Sequence, residues 1–261
     1  MIELRALKTL EFHKVREQVG NYCTSSIGMS AVEELMPETD YNTVVELLEE
    51  MDEGLSILRV KGTVPMGGIF DVRPHAKRAQ IGGMLSPMEL MEISSTIRAS
   101  RILRNFIEDI EAEGDISISH FIERKEQLPV LTGLQHEIND CIDENGAVLD
   151  SASSTLRSIR QSLRSEGAKV RGKLESLIRG SNAAKMLSDA IITIRNDRFV
   201  IPVKQEYRGH YGGIVHDQSS SGQTLFIEPD AVVQANNEVQ RLKVKEQAEI
   251  ERILLELSAK V

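Results

Sequence analysis

Apolar residues recur at helical spacing through most of the chain, and they alternate with polar residues only between positions 192 and 229. Residues Ala6–Val19 predict a first helix, and the stretch after Asp40 places its leucines and valines on one helical face. Two later segments, 150–180 and 230–261, carry narrow apolar stripes with the spacing of coiled-coil seams. The pattern therefore predicts a mainly α protein.

The exception is the segment that contains RNDRFVIPVKQEYRGHYGGIVHDQSSSGQTLFIEP. Alternating apolar positions on both sides of Asn196-Asp197 predict a hairpin with a two-residue turn, and GIVHD and TLFIE predict two more short strands. Pro202 lacks a backbone donor, so its strand is expected at a sheet edge or at a bulge. A small antiparallel sheet is thus predicted at the tip of an arm made by an ascending and a descending helix.

These patterns divide the chain into four predicted parts. They are an elongated helical core domain (1–149), an ascending lever helix (150–188), a β-rich segment (189–229) and a descending lever helix (230–261). The descending helix reaches the last residue without a Gly, Asn or Pro stop signal, which favours a longer parent protein.

Charge is distributed unevenly along the chain. The net charge is −9, of which residues 1–149 (14 Lys and Arg, 26 Asp and Glu) contribute −12 and residues 150–261 (17 and 14) contribute +3. A basic second part indicates an anionic partner. The N-terminus is too charged for a signal peptide, no apolar run reaches the length of a membrane span, and Cys23 and Cys141 form no redox or metal motif. We therefore expect a cytoplasmic protein with no membrane partner.

Two sets of basic residues are candidates for contact with nucleic acid through its phosphates. The first is a stripe on one face of the ascending helix: Arg157, Arg160, Arg164 and Arg171. The second accompanies the predicted sheet, where Tyr207 and Tyr211 are interleaved with Lys185, Arg195, Arg198, Lys204, Arg208 and His210. A solvated charged surface is the alternative for both sets, because acidic residues dilute the charge around them.

Motifs for chemistry are lacking in this sequence. It contains no GxxxxGK[ST] loop, no GxSxG and no histidine pair at ligand spacing, so we expect neither ATP hydrolysis, nor a catalytic site, nor a metal or other cofactor in this chain. QSSSGQ is interpreted as a flexible polar turn, and His216 as a structural histidine.

The sheet-forming stretch closely resembles the clamp region of the second bacterial MutS subfamily, which lacks the mismatch-recognition and connector domains of the mismatch-repair MutS proteins. SIGMSAVEELMPETD and ENGAVLDSASSTLRSIR agree with the same subfamily, so the resemblance covers essentially the whole chain. It implies a helical core, a lever of two long antiparallel helices and a small β clamp. Full-length members continue into an ATPase domain, which binds ATP and Mg²⁺ and dimerises, and usually into an Smr domain associated with endonuclease activity.

Two hypotheses follow from these observations. The resemblance implies that the chain is the nucleic-acid-binding part of a homodimeric ATPase that suppresses recombination on branched DNA, or that binds the rRNA of collided ribosomes and splits them. The alternative is a non-enzymatic helical scaffold, because patterned apolar seams need partners. The first hypothesis predicts phosphate contacts without base readout.

Overall fold

The computed structural model describes residues 4–261, in which it contains twelve α-helices and one four-stranded antiparallel sheet. The prediction of a mainly α fold with a small antiparallel sheet is confirmed. Contacts divide the chain into two compact units. We call the residues up to Leu149, together with Leu254–Val261, the helical unit, and Asp150–Ile253 the sheet unit.

Eight helices of the helical unit precede position 149: α1 (Leu4–Thr9), α2 (Phe12–Gly20), α3 (Ser26–Glu34), α4 (Tyr41–Lys61), α5 (Arg73–Gln80), α6 (Pro87–Glu113), α7 (Ser119–Glu126) and α8 (Thr132–Cys141). The longer ones begin at polar caps. Asp40 accepts a hydrogen bond from the backbone N–H of Thr43 at the start of α4. Ser86 and Glu89 form a reciprocal capping box at the start of α6. Such caps satisfy backbone donors that a helix leaves unpaired.

The predicted first helix is interrupted. The chain leaves helical geometry after Thr9 and resumes it at Phe12, because Glu11 adopts a left-handed conformation with φ of 52°. No glycine or proline marks this break, so the spacing of apolar residues alone could not reveal it.

The helical unit has a core of aliphatic side chains. Ile57 of α4 packs with Ile107 and Ile110 of α6 and with Ile118, and all four are almost fully buried. The C-terminal residues belong to the same unit, since the buried Ser258 hydroxyl accepts a hydrogen bond from the backbone N–H of Leu85.

The sheet unit contains two long helices, α9 (Ser154–Ile178) and α12 (Asp230–Ser258, of which the unit includes the residues to Ile253), and two single-turn helices, α10 (Ala183–Met186) and α11 (Arg208–Tyr211). Three side-chain contacts show that α9 and α12 run antiparallel. Lys173 Nζ donates to the carbonyl of Ala231, Arg160 Nε to Glu246, and Ser153 Oγ to Glu249. As the residue number falls along α9, the number of its partner on α12 rises. The predicted pair of antiparallel helices is therefore present.

The sheet consists of β1 (Thr193–Arg195), β2 (Arg198–Lys204), β3 (Ile214–Gln218) and β4 (Thr224–Glu228), in the order β1-β2-β4-β3. Asn196 and Asp197 form the predicted two-residue turn, and both have positive φ values, 48° and 61°. Asparagine and aspartate adopt this left-handed conformation at a lower cost than most residues, which is why the pair favours a tight hairpin.

The expectation for Pro202 needs correction. Pro202 lies in β2, an interior strand by the sheet order, and not at an edge or at the bulge, which interrupts the β3–β4 register between Val215 and Asp217. The carbonyl of Pro202 accepts a hydrogen bond from the backbone N–H of Ser188, so the proline nitrogen faces the same side of β2. β1 pairs with β2 only from Arg198 to Val200, so it has no residue opposite Pro202. The missing backbone donor is therefore tolerated because no ladder bond is required there.

One face of the sheet packs on the helix pair. Val170 and Leu174 of α9, Val232 and Val239 of α12, and the strand residues Ile201, Val203 and Ile227 form a single buried cluster. Each such side chain stabilises the fold by roughly 1.5–3 kcal/mol relative to an exposed one. Because α9 contributes its C-terminal part and α12 its first turns, the sheet lies at the end of the helix pair where α9 ends and α12 begins.

None of the helices in residues 4–261 combines the length and the apolar character needed to cross a bilayer.

Candidate nucleic-acid interface

Arg195 and Arg198 face each other across the β1–β2 turn, and each is paired with an acidic residue. Arg195 Nε lies 3.0 Å from a carboxylate oxygen of Asp217, and its guanidinium carbon lies 4.2 Å from the ring centroid of Phe226. These contacts hold the side chain on the face of the sheet, although more than a third of it remains exposed to solvent.

Arg198 takes part in a buried polar cluster. Its Nη1 donates to Glu228 Oε1 at 3.1 Å and to Asn237 Oδ1 at 2.7 Å, while His216 Nε2 lies 2.6 Å from Glu228 Oε2. The Glu228 side chain is fully buried, so it depends on these two partners for its polar contacts. Arg198 is thus engaged within the fold.

The β1–β2 turn itself is held against α12. Lys243 Nζ lies 2.9 Å from the Asp197 carboxylate, and the Gln240 side chain donates to the Asp197 carbonyl. These partners lie about 15–20 Å along α12 from its start, at 1.5 Å per residue. The turn that carries Arg195 and Arg198 therefore lies beside the helix pair, and β2 runs from it toward Lys204.

The opposite end of the sheet carries polar residues around a groove of about 830 Å³, which is lined by Ser188, Lys204, Gln205, Glu206, Gln223 and Thr224. We call these residues, with Lys185, Tyr207 and the turn Ser219–Gly222, the loop end of the sheet. Lys204 Nζ donates to the carbonyl of Lys185 at 2.9 Å, and the hydroxyls of Ser188 and Thr224 lie 2.8 Å apart. The residues that line the groove thus include one lysine, Lys204, and one acidic residue, Glu206. The other four have neutral hydroxyl or amide side chains.

Residues of the loop end were only partly predicted. In the polar turn, whose flexibility stays a prediction, the backbone N–H of Gly222 donates to the carbonyl of Ser219, and the Ser219 hydroxyl accepts from the Thr224 N–H. Ser188, Gln205, Gln223 and Thr224 were not singled out from the sequence. In the sequence these residues are marked only by lying near a lysine or near the Ser/Gly turn. They come together in space because β2 pairs with β4, which the sequence does not specify.

Arg208 and His210 lie on α11, which follows the loop end along the chain, and both are exposed. The His210 ring contacts the Tyr211 ring edge to face at 5.1 Å, and burial raises the pKa of the Tyr211 hydroxyl. Within residues 4–261, no carboxylate lies within 4 Å of the side-chain nitrogens of Lys185, Lys204, Arg208 or His210. These four side chains differ in this respect from Arg195 and Arg198.

The four arginines predicted as a stripe on α9 have different environments. Arg160 is bound by Asp150 at 2.7 Å and Glu246 at 2.6 Å, and its hydrogen bond lowers the pKa of Asp150. Arg164 shares Asp150 at 3.4 Å, and Arg171 lies over the Phe199 ring at 5.4 Å. Arg157 is exposed and has no hydrogen-bond or ion-pair partner in the described part of the chain. The stripe therefore provides fewer free charges than its sequence indicates.

The sheet unit carries basic and neutral polar groups and no metal-binding cluster in its described residues. Residues 4–261 contain no cluster of three or more histidine, cysteine or acidic side chains that could hold a metal ion. What the sheet unit offers is a set of unpaired cations and hydroxyl and amide groups on a small sheet, which can bind phosphate oxygens.

A small antiparallel sheet carried by an antiparallel helix pair is the architecture expected for the clamp and lever of a MutS-like protein. The chain is 55% identical over 257 residues to a protein of Halalkalibacterium halodurans that is named Endonuclease MutS2. Proteins with the same name from Geobacillus sp. (strain WCH70) and Bacillus cytotoxicus are 56% and 52% identical to it. Each match covers 98% of this chain, and the chain spans about a third of the length of these relatives.

These similarities confirm the resemblance to the second bacterial MutS subfamily. No family model matches the chain.

Proposed function

We propose that this chain is the nucleic-acid-binding core, lever and clamp region of a MutS-like dimeric ATPase, and that the loop end of the sheet contacts the phosphate backbone. In this proposal residues 1–149 are the core, 150–188 and 230–261 are the two lever helices, and 189–229 are the clamp. The similarity to proteins named Endonuclease MutS2 supports the family part of the proposal.

The longer parent supplies the chemistry in this proposal. It binds ATP and Mg²⁺ in an ATPase domain outside this chain, dimerises through that domain, and has endonuclease activity in a further domain. Its targets are branched DNA, on which it suppresses recombination, or the rRNA of collided ribosomes in the cytoplasm. The antiparallel pairing of α9 and α12 supports a role in transmitting movement, because two packed helices bend less than one.

One observation carries the proposed mode of binding. The loop end and α11 hold Lys185, Lys204 and Arg208, whose charges no acidic partner in residues 4–261 neutralises, and beside them the exposed ring of His210. Unpaired cations beside hydroxyl and amide groups bind phosphate oxygens and carry no sequence information. The contact is therefore expected to be independent of base sequence and sensitive to salt.

Arg195 and the α9 arginines have a secondary part in the proposal. Arg195 is partly exposed and can turn one guanidinium edge toward a phosphate while it keeps its contact with Phe226. Arg157, Arg164 and Arg171 are exposed along α9 and extend the basic surface. Arg198 and Arg160 stabilise the sheet unit from within, so their removal affects binding through the fold.

The test compares two triple variants of the 261-residue chain. The first variant combines Lys185→Ala, Lys204→Ala and Arg208→Ala, and the control combines Arg5→Ala, Lys8→Ala and Lys77→Ala in the helical unit. Both lose the same charge, but only the first removes cations of the loop end and α11. Fluorescence anisotropy with labelled duplexes of unrelated sequence, a four-way junction and an rRNA fragment measures affinity over a range of salt concentrations.

The first triple variant is expected to bind every probe more weakly. Its plot of log affinity against log salt should be shallower by up to about 3 for duplex DNA, since each lost phosphate contact contributes about 0.9. The control variant should keep the slope of the unchanged chain. Equal slopes in the two triple variants would contradict the proposal, and the strongest-binding probe distinguishes DNA from rRNA as the target.

A further inference from the structure

Helix α4 exposes an apolar face that nothing in residues 4–261 covers. Leu48, Met51, Leu55 and Leu58 are each about half exposed, with values of 54%, 57%, 50% and 48%. The opposite face of the helix carries Ile57, which is 2% exposed and packs in the core of the helical unit. The helix is therefore apolar toward the core and also toward solvent, which is unusual for a surface helix.

The exposed residues have the spacing of a coiled-coil seam. From Val44, the apolar positions follow in alternating steps of four and three residues to Leu58, as the a and d positions of a heptad do. The set is also symmetric about the level of Glu53. Met51 and Leu55 lie two residues to either side of it, and Leu48 and Leu58 lie five residues to either side.

This symmetry matches an antiparallel pair of identical helices. In such a pair an a residue of one helix packs against a d residue of the other. Two copies of α4 crossing at the level of Glu53 would form the layers Leu48–Leu58 and Met51–Leu55, each of them twice. Every exposed seam residue then obtains an apolar partner, and the contact closes with twofold symmetry.

The charges of α4 favour the same orientation. The part from Tyr41 to Glu53 contains five acidic residues and no basic one, whereas the part from Gly54 to Lys61 contains Arg59 and Lys61 and no acidic residue. An antiparallel pair sets the acidic part of each helix against the basic part of the other, and a parallel pair sets like charges together. Lys61 is already bound to Glu113, and Glu50 and Glu53 are bound to Arg124 and His120 within the helical unit. Arg59 is exposed and has no ion-pair partner in residues 4–261, so it is free to approach Asp52 of a second copy, which lies on the same flank of the seam.

We propose that the exposed face of α4 is a self-association surface on which a second copy of this chain docks its own α4 in antiparallel orientation. This contact lies in the helical unit and does not depend on nucleic-acid binding by the sheet unit. It is distinct from dimerisation through an ATPase domain outside this chain.

The first test is sedimentation velocity of the 261-residue chain over a range of concentrations. A concentration-dependent dimer is expected. Leu55→Glu should raise its dissociation constant at least about tenfold, because the dimer would bury an unpaired carboxylate. Val60→Glu is the matched control: Val60 is 47% exposed on the same helix but lies off the seam, so this variant should dimerise as the unchanged chain does.

The second test determines orientation with conservative changes that leave the fold intact. In a chain with Cys23→Ser and Cys141→Ser, an equal mixture of a Leu48→Cys variant and a Leu58→Cys variant should form a mixed disulfide on mild oxidation. Each variant alone should form little disulfide, because the two positions face each other only across an antiparallel pair. A monomer at every concentration, a dimer that Leu55→Glu leaves unchanged, or disulfides within each single variant would overturn the proposal.

Discussion

The Arg198–Glu228 pair allows a sharp test of which basic residues support the fold and which are free to bind. Arg198→Met keeps most of the aliphatic stem but removes the charge that lies 3.1 Å from the fully buried Glu228 carboxylate. Two unit charges at that distance attract each other by about 5 kcal/mol at an effective dielectric constant of 20. His216 remains bound to Glu228, and Arg198 is 23% exposed, so we expect a net loss of about 2–3 kcal/mol.

Hydrogen exchange measures this loss locally. Amide protection in β2 and β4 should fall by about thirtyfold or more in Arg198→Met, while the amides of α6 in the helical unit should exchange as before. Adding Glu228→Gln to Arg198→Met should recover part of the protection, because a neutral amide replaces the unpaired buried charge. Unchanged protection of β2 and β4 in the single variant would refute the claim that Arg198 stabilises the sheet.

Two further predictions concern the supports of the sheet unit. Hydrogen bonds from Arg252 and Ser153 lower the pKa of Glu249 to about 2 from its usual 4.5, so its stabilising effect is present above pH 4.5 and is lost as the pH falls toward 2. Glu249→Gln should therefore make the denaturation midpoint depend less on pH between pH 4.5 and 2. The control Glu251→Gln, at an exposed position on the same helix, should keep the pH dependence of the unchanged chain. Equal pH profiles for the two variants would contradict this. Gly213 has φ of 85°, and a Cβ there would collide with the carbonyl of Glu228. Gly213→Ala should lower the free energy of unfolding by about 2 kcal/mol or more in thermal melts. Gly209→Ala, whose Cβ meets open space, should leave the melting temperature close to that of the unchanged chain. Similar melts for the two variants would show that no strain exists at Gly213.

Local signals in the sequence predicted the parts of the fold that depend on near neighbours. Asp40 and Ser86 begin helices because their side chains accept from backbone donors three residues later, and Asn196-Asp197 forms a tight turn because both residues tolerate positive φ. The seam on α9 predicted packing because a helix buries residues at fixed spacing.

Features that depend on distant partners could not be predicted in this way. Arg198 looked free in the sequence, but its partners Glu228 and Asn237 lie 30 and 39 residues away. The same holds for Arg160, whose partner Glu246 lies on the other helix of the pair. Pro202 fits an interior strand because β1 pairs with β2 only as far as Val200. The alternation of apolar residues does not specify how far this pairing extends.

The division of labour among the basic residues has a physical reason. A cation that is bound to a carboxylate must break or share that bond before it neutralises a phosphate, which reduces the gain from binding. Lys185 and Arg208 have no such bond to break within residues 4–261.

Site-specific photocrosslinking to DNA tests the central claim most directly. A photoreactive amino acid at Gln223, in the groove of the loop end, should crosslink to a labelled duplex at low salt, and the yield should fall as salt is raised. The same probe at Val60 on α4 should give little product. Crosslinking from Val60 that equals or exceeds that from Gln223 would contradict the claim that the loop end of the sheet grips the nucleic-acid backbone.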